Sequence, residues 1–394
     1  MAEQQLRAEA PATDGVALDP ERQARAREYA RLRRTLLVVD LGLGAAIGLA
    51  WLLSGGSAWL RDVASARAGS AWGVVGLYAL AAGAGLIVLR FPLQVYSGFV
   101  LPHRYGLATQ SFKAWAVDVV KATLLGGALG LVMLEVMYAL LRATPSWWWL
   151  WTAGVMLLFT VVLANLAPVL IFPLFYKFTP VTDEALVARL KALAERAGAR
   201  VRGVYRFDMS SKTRAANAAV VGLGNTRRII LGDTLLTGFT GDEIETVLAH
   251  ELGHHVHGDV GKGVALSTAL TLGGLYLASL ALASGAAALG LVGIADVAGL
   301  PLLGLVMGAY GLLTMPLENS WSRWRETMAD AYALATTQKP RAFASAMTRL
   351  ANQNLGEVAP PRWVEIALMS HPAIARRIAL ARDFAAAAGV PDGG

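Results

Sequence analysis

Long apolar runs recur along the 394-residue chain, with shorter polar connections between them. A helix needs about 20 apolar residues to cross the hydrocarbon core of a bilayer. Six runs meet this length, at residues 35–53, 71–89, 122–141, 147–167, 264–284 and 299–317. The pattern predicts a mainly α-helical, polytopic membrane protein with six transmembrane helices.

The polar remainder divides into a basic tail, 1–34, and two hydrophilic segments that follow the fourth and sixth spans. The first segment, 172–262, has a helical pattern over 182–198 and strand patterns over 201–207, 218–221 and 228–231. Thr240 and Glu243 form a capping-box pattern that starts a further helix. The second segment, 318–394, is mostly helical. These patterns predict an α+β domain in two parts, interrupted by the two spans within 263–317 and preceded by the four within 35–171.

Arginine and lysine concentrate in alternate connections, which indicates the orientation of the spans. The tail, the second-to-third connection and both hydrophilic segments are rich in them, whereas the other connections are poor. Because positive loops stay in the cytoplasm, both termini and both hydrophilic segments are predicted to be cytoplasmic. The tail lacks an apolar core, so no signal peptide is expected. The bias toward alanine, glycine and arginine is typical of bacteria and points to an inner (plasma) membrane.

The amino-acid composition excludes several classes of function. Apolar residues make up 55% of the chain and charged residues 16%, the balance of a membrane protein. The 35 basic against 28 acidic residues are interpreted as the excess of cytoplasmic loops in contact with the lipid bilayer, and no nucleic-acid partner is expected. The absence of cysteine excludes disulfides and thiolate chemistry.

Three polar residues, Asp40, Glu135 and Asn165, lie within or near the predicted spans. A charge at bilayer depth is expensive and points to function, or else to a side chain that faces the interior of the helix bundle. The sequence leaves both alternatives open.

Four of the six histidines fall within eight residues, in the sequence His250-Glu251-Leu252-Gly253-His254-His255-Val256-His257. On a helix, His250 and His254 share one face and can hold one Zn²⁺, while Glu251 can take a proton from the water that the metal binds. His255 and His257 are rotated off that face. The spacing therefore predicts a catalytic zinc site.

A catalytic zinc needs a third protein ligand. Position 260, where an extended motif would place a histidine, is Val260. A carboxylate is the alternative. Glu326 and Asp330 lie four residues apart on one helical face, so Glu326 can bind metal while Asp330 accepts an N–H from a ligating histidine. Taken alone, this spacing is more typical of an ordinary charged helix start.

Several motifs together resemble the type I CAAX prenyl proteases, which are intramembrane zinc endopeptidases. The similarity covers roughly residues 90 to 380. The matching positions are the HELGHH sequence at 250–255, Glu318-Asn319 with Ser322-Arg323, Glu326 and Ala329-Asp330, the segment FPLFYKFTP at 172–180, the loop from Tyr105-Gly106-Leu107 to Asp118, Ser370-His371-Pro372 with Arg377, and Asn217.

The resemblance implies a zincin-like (gluzincin) protease domain that holds one Zn²⁺. It assigns His250, His254 and Glu326 to the metal, Glu251 to the role of base and Asp330 to hydrogen bonding with a ligand. It further implies that Asn217, His371 and Arg377 lie around the substrate. His371 or Arg377 could then donate a hydrogen bond to the oxyanion of a tetrahedral intermediate. Eukaryotic members have seven spans, one more than the six predicted here.

The sequence thus predicts a membrane-embedded zinc endopeptidase that cleaves membrane-associated, possibly prenylated, polypeptides. An HtpX-like quality-control protease is an alternative with the same ligands, and a transporter is a remote one. The partners expected are a peptide or protein substrate and the bilayer. The sequence leaves the oligomeric state undetermined.

Overall fold

The structure, a computed structural model, describes residues 17–222 and 224–389. Within these ranges, six helices are long and apolar enough to cross a membrane, which confirms the predicted number of spans in this integral membrane protein. They are α1 (Pro20–Leu53), α3 (Ala71–Val95), α5 (Phe112–Ala143), α6 (Trp148–Leu166), α10 (Asp259–Gly285) and α11 (Leu300–Thr337). The other helices are α2 (Gly56–Arg67), α4 (Leu101–Arg104), α7 (Glu184–Arg196), α8 (Asp233–Gly238), α9 (Gly241–Val256), α12 (Pro340–Gln353), α13 (Arg362–Leu368) and α14 (Ile374–Ala387).

Helix α1 begins well before the apolar run that predicts it. The Asp19 carboxylate accepts the backbone N–H groups of Glu21 and Arg22, at 2.9 and 3.1 Å, and Pro20 occupies the first helical position. A capping acid followed by proline favours a helix start whatever the polarity of the next turns. The predicted basic tail is therefore helical from Pro20 onward, and residues 1–16 lie outside the described residues.

Helix α11 does not end where its apolar stretch ends. It runs for 38 residues, from Leu300 through the polar segment to Thr337, with Pro316 in its interior. At 1.5 Å per residue its length is about 57 Å, nearly twice the hydrocarbon thickness. Glu326 and Asp330 therefore lie on the same rigid helix that forms the sixth span.

A four-stranded sheet lies in the first hydrophilic segment, in the order β1-β2-β4-β3. The strands are β1 (Phe178–Pro180), β2 (Val204–Phe207), β3 (Ala218–Val221) and β4 (Arg228–Gly232). The predicted hairpin is confirmed, since β3 and β4 are antiparallel with Ala218 opposite Leu231. Leu223, within its turn, lies outside the described residues. β1 was not predicted, and β3 forms one edge of the sheet.

Helices α7, α9, α12 and α14 pack with the sheet around one apolar core. Its fully buried side chains include Leu190, Ile229, Leu248 and Phe343. The predicted capping box is confirmed at the start of α9, because Thr240 and Glu243 exchange hydrogen bonds between side chain and backbone. The sheet and α12 thereby hold the histidine-bearing helix in place.

The loop between α4 and α5 joins the first hydrophilic segment to the membrane helices. Ala108 pairs with Thr213 in an isolated β-bridge, and Lys212 binds Asp118 of α5 at 2.5 Å. Both ring nitrogens of His103 lie within 2.9 Å of backbone carbonyl oxygens on the two sides of this loop, so this histidine serves the loop's structure.

The polar residues of the spans differ in their surroundings. Asp40 accepts a hydrogen bond from Arg90 at 3.0 Å, and Asn165 donates to the Val161 carbonyl oxygen of its own helix. Each of these two side chains therefore has a hydrogen-bond partner among the membrane helices. One carboxylate oxygen of Glu135 is buried and has no hydrogen-bond partner among the described residues.

Candidate active site

Helix α9 presents both histidines of the HExxH motif to helix α11. His250 Nε2 lies 3.2 Å from Glu326 Oε2, and His254 Nε2 lies 3.4 Å from Glu326 Oε1. One donor atom from each of the three residues falls within 4.8 Å of the others. The structure thus brings together the two histidines and the carboxylate that the sequence places more than 70 residues apart.

The spacing of these donors suits a metal ion. Tetrahedral ligands at about 2.1 Å from a metal lie about 3.4 Å apart, and each histidine Nε2 lies at a similar distance from one of the two Glu326 oxygens. Glu326 Oε2 is buried and has no hydrogen-bond partner among the described residues. Two imidazoles and a carboxylate are a donor set that zinc accepts in catalytic sites.

Each of the two imidazoles has a carboxylate at its Nδ1 nitrogen. Asp330 Oδ1 lies 2.7 Å from His250 Nδ1, and Asp259 Oδ2 lies 2.8 Å from His254 Nδ1. A carboxylate accepts the Nδ1 proton, so both Nε2 lone pairs remain free to face the metal position. Asp259 was missed by sequence reasoning, although an acid five residues after the second histidine was the available signal.

The negative charges of Asp330 and Asp259 are each neutralised by an arginine. Arg377 donates to both oxygens of Asp330, at 2.6 and 2.8 Å, and Arg325 pairs with Asp259. The carboxylates of Glu326 and Glu251 have no such arginine partner among the described residues and could balance a divalent ion. Burial lowers the pKa of His250, but its contacts with the carboxylates of Asp330 and Glu326 outweigh burial and raise the pKa to about 9. The carboxylates therefore favour a positive charge at this position, and a metal ion at Nε2 would supply that charge in place of a proton.

A glycine sets the close approach of α9 and α11. A Cβ atom placed on Gly253 would lie 2.9 Å from the Cα of Ala329, where real Cβ atoms essentially never come. Ala329 is three residues after Glu326, which places this contact one turn from the ligand. The glycine in HELGH lets the histidine helix reach the carboxylate.

Glu251 lines a cleft beside His250 and is half-buried. Burial raises the pKa of the Glu251 carboxyl, while the adjacent histidines oppose that rise. A carboxylate with a raised pKa holds a proton better than an exposed one, which suits a residue that must accept a proton and then release it.

His371 reaches the same site from the segment before α14. Its Nε2 lies 3.4 Å from Glu326 Oε1, and Ser370 Oγ lies 2.9 Å from its Nδ1. A hydroxyl proton donated to Nδ1 leaves the imidazole proton on Nε2, which faces the metal position. Burial lowers the pKa of His371, so its neutral form is favoured.

The other two clustered histidines take no part in this arrangement. His255 Nε2 lies 3.5 Å from Arg227, and the backbone carbonyl of His257 accepts a hydrogen bond from Arg325. Their positions agree with the helical rotation that excludes them from the ligand face.

The cleft has a volume of about 680 Å³ and extends from the metal position to helix α1. Asn217, just before β3, lines the cleft. Its side-chain oxygen accepts a hydrogen bond from the backbone N–H of Ala218 at 2.9 Å. Arg377 also lines the cleft, but its guanidinium is held by Asp330. Tyr29, Arg33 and Leu37 of α1 form the far wall.

Comparisons with known proteins agree with this geometry. Residues 4–177 match the family described as CAAX prenyl protease N-terminal, five membrane helices, and residues 180–385 match peptidase family M48. A protein named uncharacterized metalloprotease YhfN, from Bacillus subtilis, is 30% identical over 92% of this chain and 85% of its own.

The similarity extends to yeast proteins. CAAX prenyl protease 1 of Saccharomyces cerevisiae is 36% identical over 42% of this chain and 37% of its own length. The crystal structure of S. mikatae Ste24p has the same fold, with a TM-score of 0.84 and 23% identity over 96% of this chain and 93% of that one.

These comparisons decide between the predicted classes. The match to a prenyl-protease N-terminal family favours the main prediction over an HtpX-like protease, and the peptidase match identifies an enzyme and not a transporter. The chain belongs to peptidase family M48 and is a membrane-embedded metalloprotease.

Proposed function

We propose that the chain is an endopeptidase that binds one Zn²⁺ through His250, His254 and Glu326. The observation that carries this proposal is the convergence of both Nε2 atoms on the two oxygens of one buried carboxylate, at 3.2 and 3.4 Å. When bound there, zinc polarises the substrate carbonyl and makes a water molecule acidic enough to lose a proton near neutral pH.

The remaining chemistry belongs to the chain's own side chains. Glu251 takes a proton from the attacking water and delivers it to the leaving amine, since it lines the cleft beside the ligand histidine. The Nε2–H of His371 faces the same position and donates to the oxygen on which negative charge develops. Asp330 and Arg377 hold His250 in the tautomer that leaves its Nε2 available.

The sheet edge supports a mode of substrate binding. β3 lies at the edge of the sheet, where an extended peptide could pair with it if the backbone N–H of Ala218 exchanged the Asn217 oxygen for the peptide. Asn217 and Ala218 line the cleft together with His250, which places that edge beside the catalytic groups. An extended segment added along β3 would pass the scissile bond in front of Glu251.

The substrates that we propose are peptides or proteins held at the membrane. The cleft wall from Tyr29 to Leu37 belongs to helix α1, which continues into the bilayer. The yeast relative named a CAAX prenyl protease makes a prenylated C-terminal segment one candidate. Unprenylated membrane polypeptides are the other.

We further propose that the catalytic site faces the cytoplasm of a bacterial inner membrane. The tail and both hydrophilic segments are rich in arginine and lysine, whereas the connections on the other side of the membrane contain few of them. This is the distribution that keeps such segments in the cytoplasm.

A single substitution tests the proposal on the purified full-length protein. Glu251→Gln should retain about one zinc per chain and lose peptide cleavage by a factor of 100 or more, because only the base is removed. Glu184→Gln, at an exposed position at the start of α7, is the matched control and should keep full activity. Cleavage that survives Glu251→Gln would refute the mechanism, and a protein that binds no zinc would refute the metal assignment.

The substrate class needs a separate comparison. A farnesylated peptide and its unprenylated form are incubated with the wild type under identical conditions. Cleavage of the farnesylated peptide alone indicates a prenyl-dependent protease, whereas equal cleavage of both assigns the chain to general membrane-polypeptide turnover.

A further inference from the structure

A second cavity of about 490 Å³ lies on the outer side of the Asp330–Arg377 pair, between helices α11, α13 and α14. Its lining is rich in arginine. Apart from Arg377, which is paired with Asp330, three arginines face it, one from each helix. They are Arg323, Arg362 and Arg376.

These three arginines have few acidic partners. Arg362 and Arg376 both bind Glu365, at 3.5 and 3.2 Å, and Glu365 is the only carboxylate within 4 Å of either among the described residues. Their side chains are 62% and 56% exposed, whereas that of Glu365 is 6% exposed. Most of their guanidinium donors therefore remain available to a ligand.

Arg323 has a different role in the cavity wall. It donates to the backbone carbonyl oxygens of Glu365 and Met369, at 2.6 and 2.5 Å, and so holds α13 and the residues after it against α11. No carboxylate of the described residues lies within 4 Å of it. Asp383 also lines the cavity, so the lining as a whole carries four arginines against three acids, a surplus of one positive charge.

The distance along α11 from its apolar stretch indicates that the cavity lies close to the lipid headgroups. Arg323 is six residues beyond Leu317, the last residue of the apolar stretch of α11, or about 9 Å along the helix. The headgroup region adds roughly 5–8 Å on each side of the hydrocarbon core. A tilted helix therefore keeps Arg323 and its neighbours within reach of that layer.

The rim of the cavity has the character of a membrane interface. Trp324 and Ile366 line the cavity and are 55% and 42% exposed, and Trp363, next to Arg362 in the sequence of α13, is 63% exposed. Exposed tryptophans with neighbouring arginines are typical of the boundary between lipid tails and headgroups. A soluble anion would need the arginines but not this apolar rim.

We propose that this cavity binds the phosphate of an anionic phospholipid headgroup. Arg362 and Arg376 donate to the phosphate oxygens, and Trp324, Trp363 and Ile366 contact the glycerol and the first part of the acyl chains. Arg guanidinium groups suit this ligand because their planar N–H groups match phosphate oxygens in pairs.

The binding test uses the purified full-length protein in a neutral detergent. Dioleoyl phosphatidylglycerol, dioleoyl phosphatidylcholine and inorganic phosphate are titrated separately, and retained lipid is counted by native mass spectrometry. The wild type should bind phosphatidylglycerol at one saturable site. The double variant Arg362→Gln/Arg376→Gln should bind it roughly 30-fold more weakly.

Matched variants separate this site from general charge and from misfolding. Arg200→Gln/Arg206→Gln removes the same charge at exposed positions outside the cavity and should bind as the wild type does. Arg362→Lys/Arg376→Lys keeps the charge and should recover most of the affinity. Trp363→Ser should weaken phosphatidylglycerol binding without any change of charge.

Three results would overturn the proposal. They are equal phosphatidylglycerol affinity in the two double Gln variants, equal binding of phosphatidylcholine, and inorganic phosphate binding that is as tight as lipid binding and unaffected by Trp363→Ser. Zinc content and peptide cleavage are not readouts of this test, so its outcome is independent of the proposed catalytic mechanism.

Discussion

The substitution Gly253→Ala tests whether the contact between α9 and α11 positions the metal ligands. The added Cβ would lie 2.9 Å from the Cα of Ala329 and 3.2 Å from its Cβ. Carbon atoms in good contact are about 3.5–4.0 Å apart, so the two helices must separate by roughly 0.6–1 Å. The neighbour is backbone and cannot rotate away.

Two effects of this change on folding stability oppose each other. Overpacking of a tight contact costs about 1–3 kcal/mol. Alanine in place of glycine inside a helix contributes about 1 kcal/mol in the other direction. We therefore expect a free energy of unfolding that is lower by no more than about 2 kcal/mol, which leaves the protein folded.

The effect on metal binding is expected to be larger than the effect on folding. Metal–ligand distances tolerate changes of about 0.2 Å, less than the helix separation that the methyl group requires. Glu326 is one turn from the contact, so it moves away from His250 and His254 with its helix. Zinc affinity should fall by at least about tenfold, and peptide cleavage should fall with it.

Chelator competition measures the zinc affinity, and thermal unfolding in detergent measures stability. Gly261→Ala in helix α10 is the matched control, because nothing lies within 4 Å of the Cβ it would gain. The control should be as stable as the wild type or more so, with unchanged zinc affinity. If Gly253→Ala binds zinc and cleaves peptide as well as Gly261→Ala does, the close approach does not position the ligand.

Two further predictions concern residues outside the ligand set. Asp259→Asn should lower zinc affinity about 10–100-fold in chelator competition, because it weakens the hydrogen-bond acceptor that orients His254. An unchanged zinc affinity would exclude that role for Asp259. Burial raises the pKa of Glu245, but hydrogen bonds from Arg189 and Lys339 outweigh burial, and the pKa in the folded protein is lowered. The ionised form of Glu245 therefore stabilises the fold above the unfolded pKa of about 4.3, and this stabilisation is lost as the pH falls through the folded pKa. Glu245→Gln should therefore reduce the free energy of unfolding by about 2 kcal/mol at pH 7. Thermal unfolding should show a smaller difference from the wild type below pH 4. A difference that does not change with pH would contradict the lowered pKa of Glu245.

The spans and the two histidines could be predicted from the sequence because their signals are local. Twenty apolar residues in succession, or two histidines four residues apart, define a helix or a face without reference to the rest of the chain. The hairpin of β3 and β4 was equally local, since its strands are separated only by a short turn.

Other features depend on contacts between distant segments and gave no such signal. The contact between Gly253 and Ala329 joins two helices that are separated in sequence by the fifth span. The resemblance placed Arg377 near the substrate, whereas the structure also turns its guanidinium onto Asp330, a contact that no spacing predicts. Asp259 was within reach of sequence reasoning, but its role depends on how the turn after α9 folds back.

Helix α11 is continuous from the sixth span to Glu326, so one helix carries both the membrane-spanning stretch and this carboxylate. Glu326 is nine residues beyond Leu317, so its Cα lies about 13 Å along the helix from the last apolar residue of that stretch. An extended peptide covers about 3.3 Å per residue, so this distance corresponds to about four residues. Because Glu326 and the apolar stretch belong to one continuous helix, the distance of nine residues from Leu317 sets the height of the Glu326 carboxylate above the membrane. A chain anchored in the same leaflet reaches that height within a few residues of its anchor, which is why this site suits membrane-held polypeptides.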